Sequence, residues 1–345
     1  MYHGTMKFGV VFLTLLTIGC AVESPPRSTS GVSSPTAMAS LAPIQTPSAS
    51  VASHSDSLVL QLTYISERHE GYYGVYAVEV GCLDTQQPCI GTPHLMFELN
   101  HWLNDIAWSP DGRKLAFSYV GVAGDFDIFV ANSNGQDIVN ITNDYGDEGQ
   151  PVWSSNGAQI AYIYGSATEP EQIRISDTDG KRATRFLDRI FNPSDFMWLP
   201  DGHTIAYTAF LSPQDGRTQI SIAQSDGTVL YTVPNAPADF TSILGMTFSP
   251  DGKQIAFVGE ITPSNGPSTM DIYVAKVNDG KALNLTNKLG HNMDPKWSPV
   301  GDWLAFESDR SGNYEVYLIS SDGRITINVS QNESDDTNPA WLVYK

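Results

Sequence analysis

From residue 58 onward the chain repeats one pattern of apolar and polar positions: an aromatic residue, a polar Pro/Gly turn, and a short apolar run. The runs include SPDGRKLAF, SSNGAQIAY and SPDGKQIAF. The aromatic residues follow one another at intervals of 45, 45, 50, 49 and 44 residues, and they are Trp108, Trp153, Trp198, Phe248, Trp297 and a truncated last copy at Trp341. Self-similarity at this period is typical of architectures whose units pack on one another.

Each period predicts four short antiparallel strands, a to d. Ser-Pro-Asp-Gly forms the a–b turn, because Pro presets φ, Asp bonds back to the backbone and Gly takes the positive-φ position. A second Asn/Asp-Gly pair, as in SNG at 133–135, forms the c–d turn. A single four-stranded sheet of this size cannot cover both of its faces, so we expect the sheets to pack radially as a β-propeller.

The two ends of the repeat region predict how the ring closes. Residues 58–66, 74–80 and 94–99 resemble strands b, c and d without a strand a, and residues 338–344 are a strand a without a blade. The sequence therefore predicts an all-β, six-bladed propeller over residues 57–345, in which the C-terminal strand completes the first blade and buries Trp341. Closure removes the free sheet edges.

Residues 294–299 (DPKWSP), followed by 304–312 (LAFESDRSG), closely resemble the repeat of the TolB-like propellers. The resemblance covers about residues 58–345 and implies the six-bladed fold found in TolB and related exported proteins. TolB carries an α/β domain ahead of its propeller, whereas a signal and a tether are predicted to precede this one. The resemblance defines a fold more than a function, because one fold hosts many activities.

The first residues predict export. Residues 8–19 form an apolar run that is too short to span a bilayer and ends at Cys20. Leu16–Cys20 resembles a bacterial lipobox, so residues 1–20 are interpreted as a lipoprotein signal peptide and Cys20 as the lipidated residue; ordinary secretion is the alternative. Residues 21–56, rich in Ser, Pro, Thr and Ala, are expected to be a disordered tether. The protein would be lipid-anchored to a bacterial membrane, facing the periplasm or the cell exterior.

Two further cysteines, Cys82 and Cys89, lie where the other copies have a short c–d turn. In an oxidising compartment they are expected to form a disulfide that closes an enlarged turn. The alternative is a pair of free thiols.

Charge narrows the class of partner. The chain has 38 acidic and 19 basic side chains, a net charge of −19, which argues against nucleic acid and against a basic lipid-binding patch. Many carboxylates fall in the b–c and d–a loops, which open on the same end of a propeller, here called the variable face. Such a face would attract a basic partner or divalent cations, or would serve only solvation.

Repeat register singles out one ring of positions, three residues before each aromatic: Asp105, Gln150, Asp195, Gly245, Asp294 and Asn338. Strand a lines the central channel of a propeller, so these side chains are expected at the mouth of the channel. Their oxygens could hold a basic group of a ligand or a cation such as Ca²⁺, with Asp105, Asp195 and Asp294 as metal ligands. The alternative is structural, with each Asp accepting backbone N–H groups.

The sequence contains no Gly-x-Ser-x-Gly nucleophile motif and no pair of histidines with metal-ligand spacing. It therefore predicts a non-enzymatic, monomeric envelope lipoprotein without a resident cofactor, which binds a protein or peptide through its acidic variable face. The alternative is a cation-dependent hydrolase or lyase that uses the carboxylates at the channel mouth.

Overall fold

The computed structural model of the chain describes residues 60–343, with gaps at 70–71, 84–87, 100, 122–123, 144, 170, 187–192, 194, 213–214, 225–227, 233–239, 264, 278–280 and 288. The interpretations of residues 1–20, of Cys20 and of the tether at 21–56 lie outside the described residues. The described part consists of strands and turns, and it has no helix long and apolar enough to cross a membrane.

The strands form six antiparallel sheets arranged in sequence order, which confirms the six-bladed all-β propeller. Five sheets use four consecutive strands. Blade 2 contains β5 Leu103–Trp108, β6 Lys114–Val120, β7 Phe126–Asn132 and β8 Val139–Asn140, and blade 3 contains β9 Asp147–Trp153, β10 Gln159–Gly165, β11 Gln172–Asp177 and β12 Ala183–Arg185. Blade 4 contains β13 Asp195–Trp198, β14 Thr204–Ser212, β15 Asp215–Gln224 and β16 Val229–Thr232, and blade 5 contains β17 Ser242–Phe248, β18 Gln254–Ile261, β19 Thr269–Lys276 and β20 Ala282–Asn284. Blade 6 contains β21 Asn292–Trp297, β22 Trp303–Ser308, β23 Glu315–Ser320 and β24 Thr326–Asn328.

Blade 1 combines the two ends of the propeller, as predicted. It contains β1 Leu60–His69, β2 Tyr72–Gly81, β3 Cys89–Ile90, β4 His94–Leu99 and the last strand, β25 Asp336–Val343. β25 pairs with β1 in antiparallel register, with Leu60 opposite Val343 and Thr63 opposite Ala340. The C-terminal strand is therefore the innermost strand of the first blade, and the ring has no free inner edge there.

The core of the molecule lies between blades rather than within them. In the described part of the chain the buried apolar side chains form six clusters, and each cluster joins two neighbouring sheets. One cluster, for example, packs Leu62 and Val78 of blade 1 against Leu318 and Trp303 of blade 6. Each blade thus buries its two faces against its two neighbours, which is why a single repeat could not fold alone.

Two of the strand-a tryptophans tie their blade to the one before it through a hydrogen bond, whereas the buried indole N–H groups of Trp198 and Trp297 have no partner among the described residues. The indole N–H of Trp153 donates to the carbonyl of Ala107 at 3.0 Å, and that of Trp341 donates to the carbonyl of Lys296 at 3.1 Å. In both cases the acceptor belongs to the residue just before the previous blade's own tryptophan. Trp341 is partly buried rather than fully buried, because its ring packs on the margin of the cluster between blades 6 and 1.

In blade 1, where the ring closes, a hydroxyl group mediates the contact between the tryptophan and the carbonyl. The Trp108 indole N–H donates to Thr63 Oγ1 at 2.8 Å, and that hydroxyl donates to the carbonyl of Ala340 at 2.9 Å. Ala340 precedes Trp341, so it occupies the same repeat position as the acceptors Ala107 and Lys296. Thr63, which is fully buried, therefore links the first strand, the last strand and blade 2.

A disulfide joins Cys82 and Cys89 with a Cα–Cα distance of 5.3 Å, as predicted, and it closes the enlarged turn that follows β2. The turn also contacts the neighbouring blade, because the Leu83 carbonyl accepts the indole N–H of Trp303 at 3.0 Å. Leu83 itself is buried in the cluster between blades 6 and 1. The cross-link thus fixes a turn that belongs to the closing interface.

We predict that Thr63→Val destabilises the protein by about 1–3 kcal/mol, because the Trp108 indole N–H and the Ala340 carbonyl lose the buried hydroxyl group with which both form hydrogen bonds. Thr63→Ser keeps the hydroxyl and should be affected less. The measurement is the free energy of unfolding from denaturant titrations of the three proteins. Equal stability of the Val variant and the parent would show that the hydroxyl relay contributes nothing to closure.

Candidate functional site

The ring positions chosen from repeat register share an unusual backbone conformation. Five of them have φ in the left-handed region, namely Asp105 (44°), Gln150 (53°), Gly245 (45°), Asp294 (50°) and Asn338 (54°). At these places the inner strand is irregular, as where the pairing of β5 with β6 shifts between Asn104 and Ile106. Left-handed φ favours Gly, Asn and Asp, so the backbone alone accounts for much of the composition of this ring.

Two of the three ring aspartates link adjacent blades. Asp105 Oδ2 accepts the backbone N–H of Gln150, the next ring residue, at 3.1 Å. Asp195 Oδ1 accepts the N–H of Phe196 at 2.9 Å, and its Oδ2 accepts the N–H of Met246 in blade 5. These contacts agree with the alternative in which the aspartates have a structural role, because the carboxylates accept hydrogen bonds from backbone N–H groups at bulges.

Asp294 has a different partner. Its carboxylate lies 2.7 Å from the Lys296 ammonium, and the two side chains keep 27% and 40% of their surface exposed. The N–H of the next ring residue, Asn338, instead donates to Glu307 Oε2 at 3.2 Å. Because Glu307 takes that N–H, the Asp294 carboxylate is left to pair with Lys296 in the channel.

Lys296 was not among the residues predicted from the sequence. It lies two residues after its ring position, where the other copies have Ala107, Val152, Met197, Thr247 and Ala340. A charged residue at a repeat position that is apolar or small in the other copies was the sequence feature that could have identified Lys296. The lysine places one positive charge among three carboxylates.

The electrostatic coupling of these groups shows that they share one environment. Burial raises the pKa of Asp195 to about 7, against the opposing effects of the Lys296 charge and the Met246 N–H. Burial also raises the pKa of Asp105, and the charge of Asp294 adds to that rise. Burial lowers the pKa of Lys296, but the charges of Asp294, Asp195 and Asp105 together outweigh it, so the pKa is raised. The ammonium therefore stays charged in the channel.

Several carboxylates assigned to the acidic variable face are internal. Glu148 and Asp336 are fully buried, and Glu307 is 5% exposed. The Asp309 carboxylate accepts the N–H of His291 at 2.7 Å, and Asp147 accepts that of Phe126 at 3.0 Å. The face therefore presents less negative charge than the sequence count suggests.

A repeated polar network explains the Asn-x-Thr/Ser sequences that follow the outer strands. The Thr286 hydroxyl accepts the Ile272 N–H at 3.0 Å and donates to Asp271 Oδ1 at 2.7 Å. Asn284 donates to the other oxygen of Asp271 at 3.0 Å. Related contacts recur around Asn140, Thr142 and Asp127, and around Asn328, Ser330 and Glu315. These side chains hold strands c and d together at the variable face.

Among the residues that the structure describes, no group of three or more His, Cys, Asp or Glu side chains is placed to hold a metal ion. A Ca²⁺ site formed by Asp105, Asp195 and Asp294 stays a prediction. The arrangement at the channel is a ring of bulged polar residues with one exposed Asp–Lys ion pair.

Fold and site together define a six-bladed propeller with a polar central channel, and sequence comparison assigns its family. Residues 158–344 match the family PD40, described as the TolB beta propeller domain. This region is more than half of the chain, and the chain belongs to that family.

Individual relatives match shorter segments. The chain is 27% identical to a Tol-Pal system protein TolB of Francisella tularensis over 139 residues, which are 38% of this chain and 30% of that protein. It is also 29% identical to an uncharacterized peptidase, YuxL, of Bacillus subtilis over 108 residues, which are 30% of this chain and 16% of the peptidase. The chain thus spans less than a third of the length of either protein.

The fold matches a solved structure over most of the chain. The crystal structure of TolB from Acinetobacter baumannii superimposes with a TM-score of 0.65 and 21% sequence identity, over 82% of this chain and 66% of that one. At this identity the likeness supports the fold alone.

We predict that Asp195 makes stability fall as the pH rises between about pH 4 and pH 7. An unfolded Asp loses its proton near pH 4, whereas folded Asp195 keeps its proton up to about pH 7. In that interval the unfolded state binds fewer protons, so the free energy of unfolding decreases with pH. Asp195→Asn keeps an acceptor oxygen for the Met246 N–H but does not titrate, so its stability should change less.

The measurement is the free energy of unfolding of both proteins at several pH values in this interval. Asp251→Asn is the control, because hydrogen bonds from Ser249 and Lys253 lower the pKa of Asp251 and its titration falls below the interval. Parallel curves for the parent and Asp195→Asn would contradict the prediction.

Proposed function

We propose that the protein is a non-enzymatic binding module of the cell envelope, whose propeller takes up a protein or peptide at the channel mouth of its variable face. The binding residues would be Asp105, Gln150, Asp195, Asp294 and Asn338, joined by Lys296. The observation that carries this proposal is the Asp294–Lys296 ion pair, which stays partly exposed in a rigid ring. Its neighbours Asp105 and Asp195 bond to backbone groups of the next blade, so this pair is the charged element most available to a ligand.

Family membership supports the proposal. The chain belongs to the TolB propeller family, and it resembles proteins named for the Tol-Pal system. Both favour an exported, periplasm-facing protein that binds other proteins. A rigid propeller with loops of varied length at one end is also the kind of scaffold that presents binding residues.

The hydrolase or lyase alternative has no specific observation in its favour. Among the described residues no group of three or more His, Cys, Asp or Glu side chains gives an observation from which such a cation-dependent reaction could be argued. The similarity to the Bacillus peptidase covers 16% of that protein, too little of it to transfer an activity to this chain.

The test compares two chemically matched lysines. Lys296 lies two residues after its partner Asp294 at the channel, and Lys253 lies two residues after its partner Asp251, with a 3.1 Å ion pair, in an exposed a–b turn at the opposite end. Full-length protein is immobilised, exposed to envelope extract of its source organism, and the captured proteins are quantified by mass spectrometry. We expect Lys296→Met and Asp294→Asn to reduce capture of one partner at least about fivefold, equivalent to about 1 kcal/mol.

Lys253→Met should leave capture unchanged, and thermal unfolding curves should show that all variants are folded. Equal losses at Lys253 and Lys296, or no loss at either, would contradict binding at the channel mouth.

We also propose that the propeller is anchored through lipid on Cys20, on the basis of the lipobox-like Leu16–Cys20 segment that ends the apolar run. We expect Cys20→Ser to move the protein from the membrane fraction to the soluble fraction, because the mutant lacks the thiol to which lipid is attached. The double variant Cys82→Ser/Cys89→Ser controls for loss of any cysteine and should remain membrane-bound. A Cys20→Ser protein that still sediments with membranes would contradict the anchor.

A further inference from the structure

The exposed aromatic residues of this propeller gather on one part of the variable face. Of the Phe, Tyr and Trp side chains that the structure describes, three are exposed: Tyr72 (49%), Trp102 (45%) and Tyr145 (92%). Tyr72 begins β2 of blade 1, Trp102 lies in the loop from blade 1 to blade 2, and Tyr145 lies in the loop from blade 2 to blade 3. All three positions open on the variable face, in consecutive blades.

Ring contacts hold the middle of this group, at Trp102 and the adjacent His101, against the propeller. Trp102 packs on Tyr73 with ring centroids 5.9 Å apart, and the adjacent residue, His101, packs edge-on against Tyr119 at 6.0 Å. Tyr73 and Tyr119 in turn pack on the hydrophobic cluster between blades 1 and 2. We call Tyr72, Tyr73, His101, Trp102, Tyr119 and Tyr145 the aromatic surface.

The backbone under the most exposed ring is held by three hydrogen bonds. The Tyr145 carbonyl accepts the hydroxyl of Tyr164 at 2.9 Å, and the N–H of Gly146 donates to Asp125 Oδ2 at 3.3 Å. The Phe126 N–H donates to Asp147 Oδ1 at 3.0 Å, which joins the same two loops again. A ring that is almost wholly exposed contributes little to the core, and because its backbone is already fixed, binding costs only the rotamer freedom of the ring itself.

The segments that carry the aromatic surface are acidic. Among the described carboxylates of residues 66–73, 98–104, 119–126 and 142–148, Glu67 and Glu98 are exposed, Asp125 and Asp147 are partly exposed, and Glu148 is buried; the one Lys or Arg in these segments is Arg68. Arg68 is turned toward the fold, where it donates to Tyr64 at 3.0 Å and to the buried Asp336 at 3.3 Å. Glu67 is bonded to the hydroxyl of Tyr73, so a carboxylate lies at the edge of the Tyr73–Trp102 pair.

We infer that the aromatic surface binds a Lys/Arg-rich segment of the partner protein, with the cationic side chains stacked on Trp102 and Tyr145 and paired with Glu67. Faces of Trp and Tyr attract Lys and Arg cations, and the surrounding negative charge attracts the segment as a whole. This inference rests on the proposed function and specifies the chemistry of its partner. The site lies off the channel axis, so its residues are distinct from the ring.

The test uses a fluorescein-labelled peptide of alternating lysine, arginine and glycine, with a glutamine-for-lysine/arginine peptide as its uncharged counterpart. Binding to the full chain is measured by fluorescence anisotropy. We expect Trp102→Ala and Tyr145→Ala each to weaken binding of the basic peptide about threefold, and the double variant about tenfold. The protein's net charge is the same in all of these variants, so general charge attraction cannot produce the difference.

Matched controls separate position from chemistry. Leu283, also exposed (53%), lies on the outer strand of blade 5, and Leu283→Ala should leave the affinity unchanged. Glu67→Gln should weaken binding about twofold to threefold, whereas Glu79→Gln, at the far exposed end of β2, should not. Because the substituted side chains are exposed, unfolding temperatures should match that of the parent.

The outcomes distinguish this inference from the proposed function. Binding of the basic peptide that is unchanged in the double variant would overturn the aromatic surface, as would Trp102-dependent binding of a glycan fragment with no binding of the peptide. If Trp102→Ala weakens the peptide but neither it nor Lys296→Met reduces capture from envelope extract, the proposed function fails while the surface stands. If only Lys296→Met reduces capture and the peptide assay is unaffected by Trp102, the surface fails and the channel site stands.

Discussion

The constraint on which this structure depends is that no blade can bury its own faces. The six apolar clusters all lie between neighbouring sheets, so each sheet is stable only when both neighbours are present, and the ring must close. Closure here joins residues from the two ends of the repeat region, with Thr63 opposite Ala340. At the junction the Thr63 hydroxyl links the Trp108 indole to the Ala340 carbonyl, so the closing interface keeps the contact between blades that Trp153 and Trp341 make directly.

The inner strands add a second constraint, which shapes the candidate site. Left-handed φ recurs at five of the six ring positions, and four of those five hold Asp, Asn or Gly, the residues that this conformation favours before any ligand is considered. The carboxylates then satisfy the backbone, as Asp105 does with the Gln150 N–H. Asp294 departs from this pattern, since Glu307 takes the N–H of Asn338. The ion pair with Lys296 is thus a local departure from a structural repeat.

The fold was predictable from sequence because it follows from the spacing of the repeats. The repeat period, the turn residues and the unpaired strand at each end together predict six blades. The ring was predictable in position for the same reason. The hydrogen-bond partners of the ring side chains were not predictable, because the spacing of the repeats does not determine the backbone φ angle or which side chain accepts a given N–H. Lys296 and the aromatic surface were missed for related reasons. The first departs from the repeat at one copy, and the second combines Tyr73 of β2 with Trp102 and Tyr145 from two loops, and no periodic pattern relates these positions.

The two ends of the propeller differ in what their polar groups are free to do. At the turn end, Ser249 donates to Asp251 and receives the Gln254 N–H, so the polar atoms of a short hairpin largely satisfy one another. At the variable face, buried groups such as Asp271 and Thr286 do that work beneath the surface. An exposed side chain in a loop of this face, such as Tyr145, is therefore not needed for that structural task. A binding surface can therefore vary there without changing the hydrogen bonds that hold the blades, which is the physical basis for placing recognition at this end.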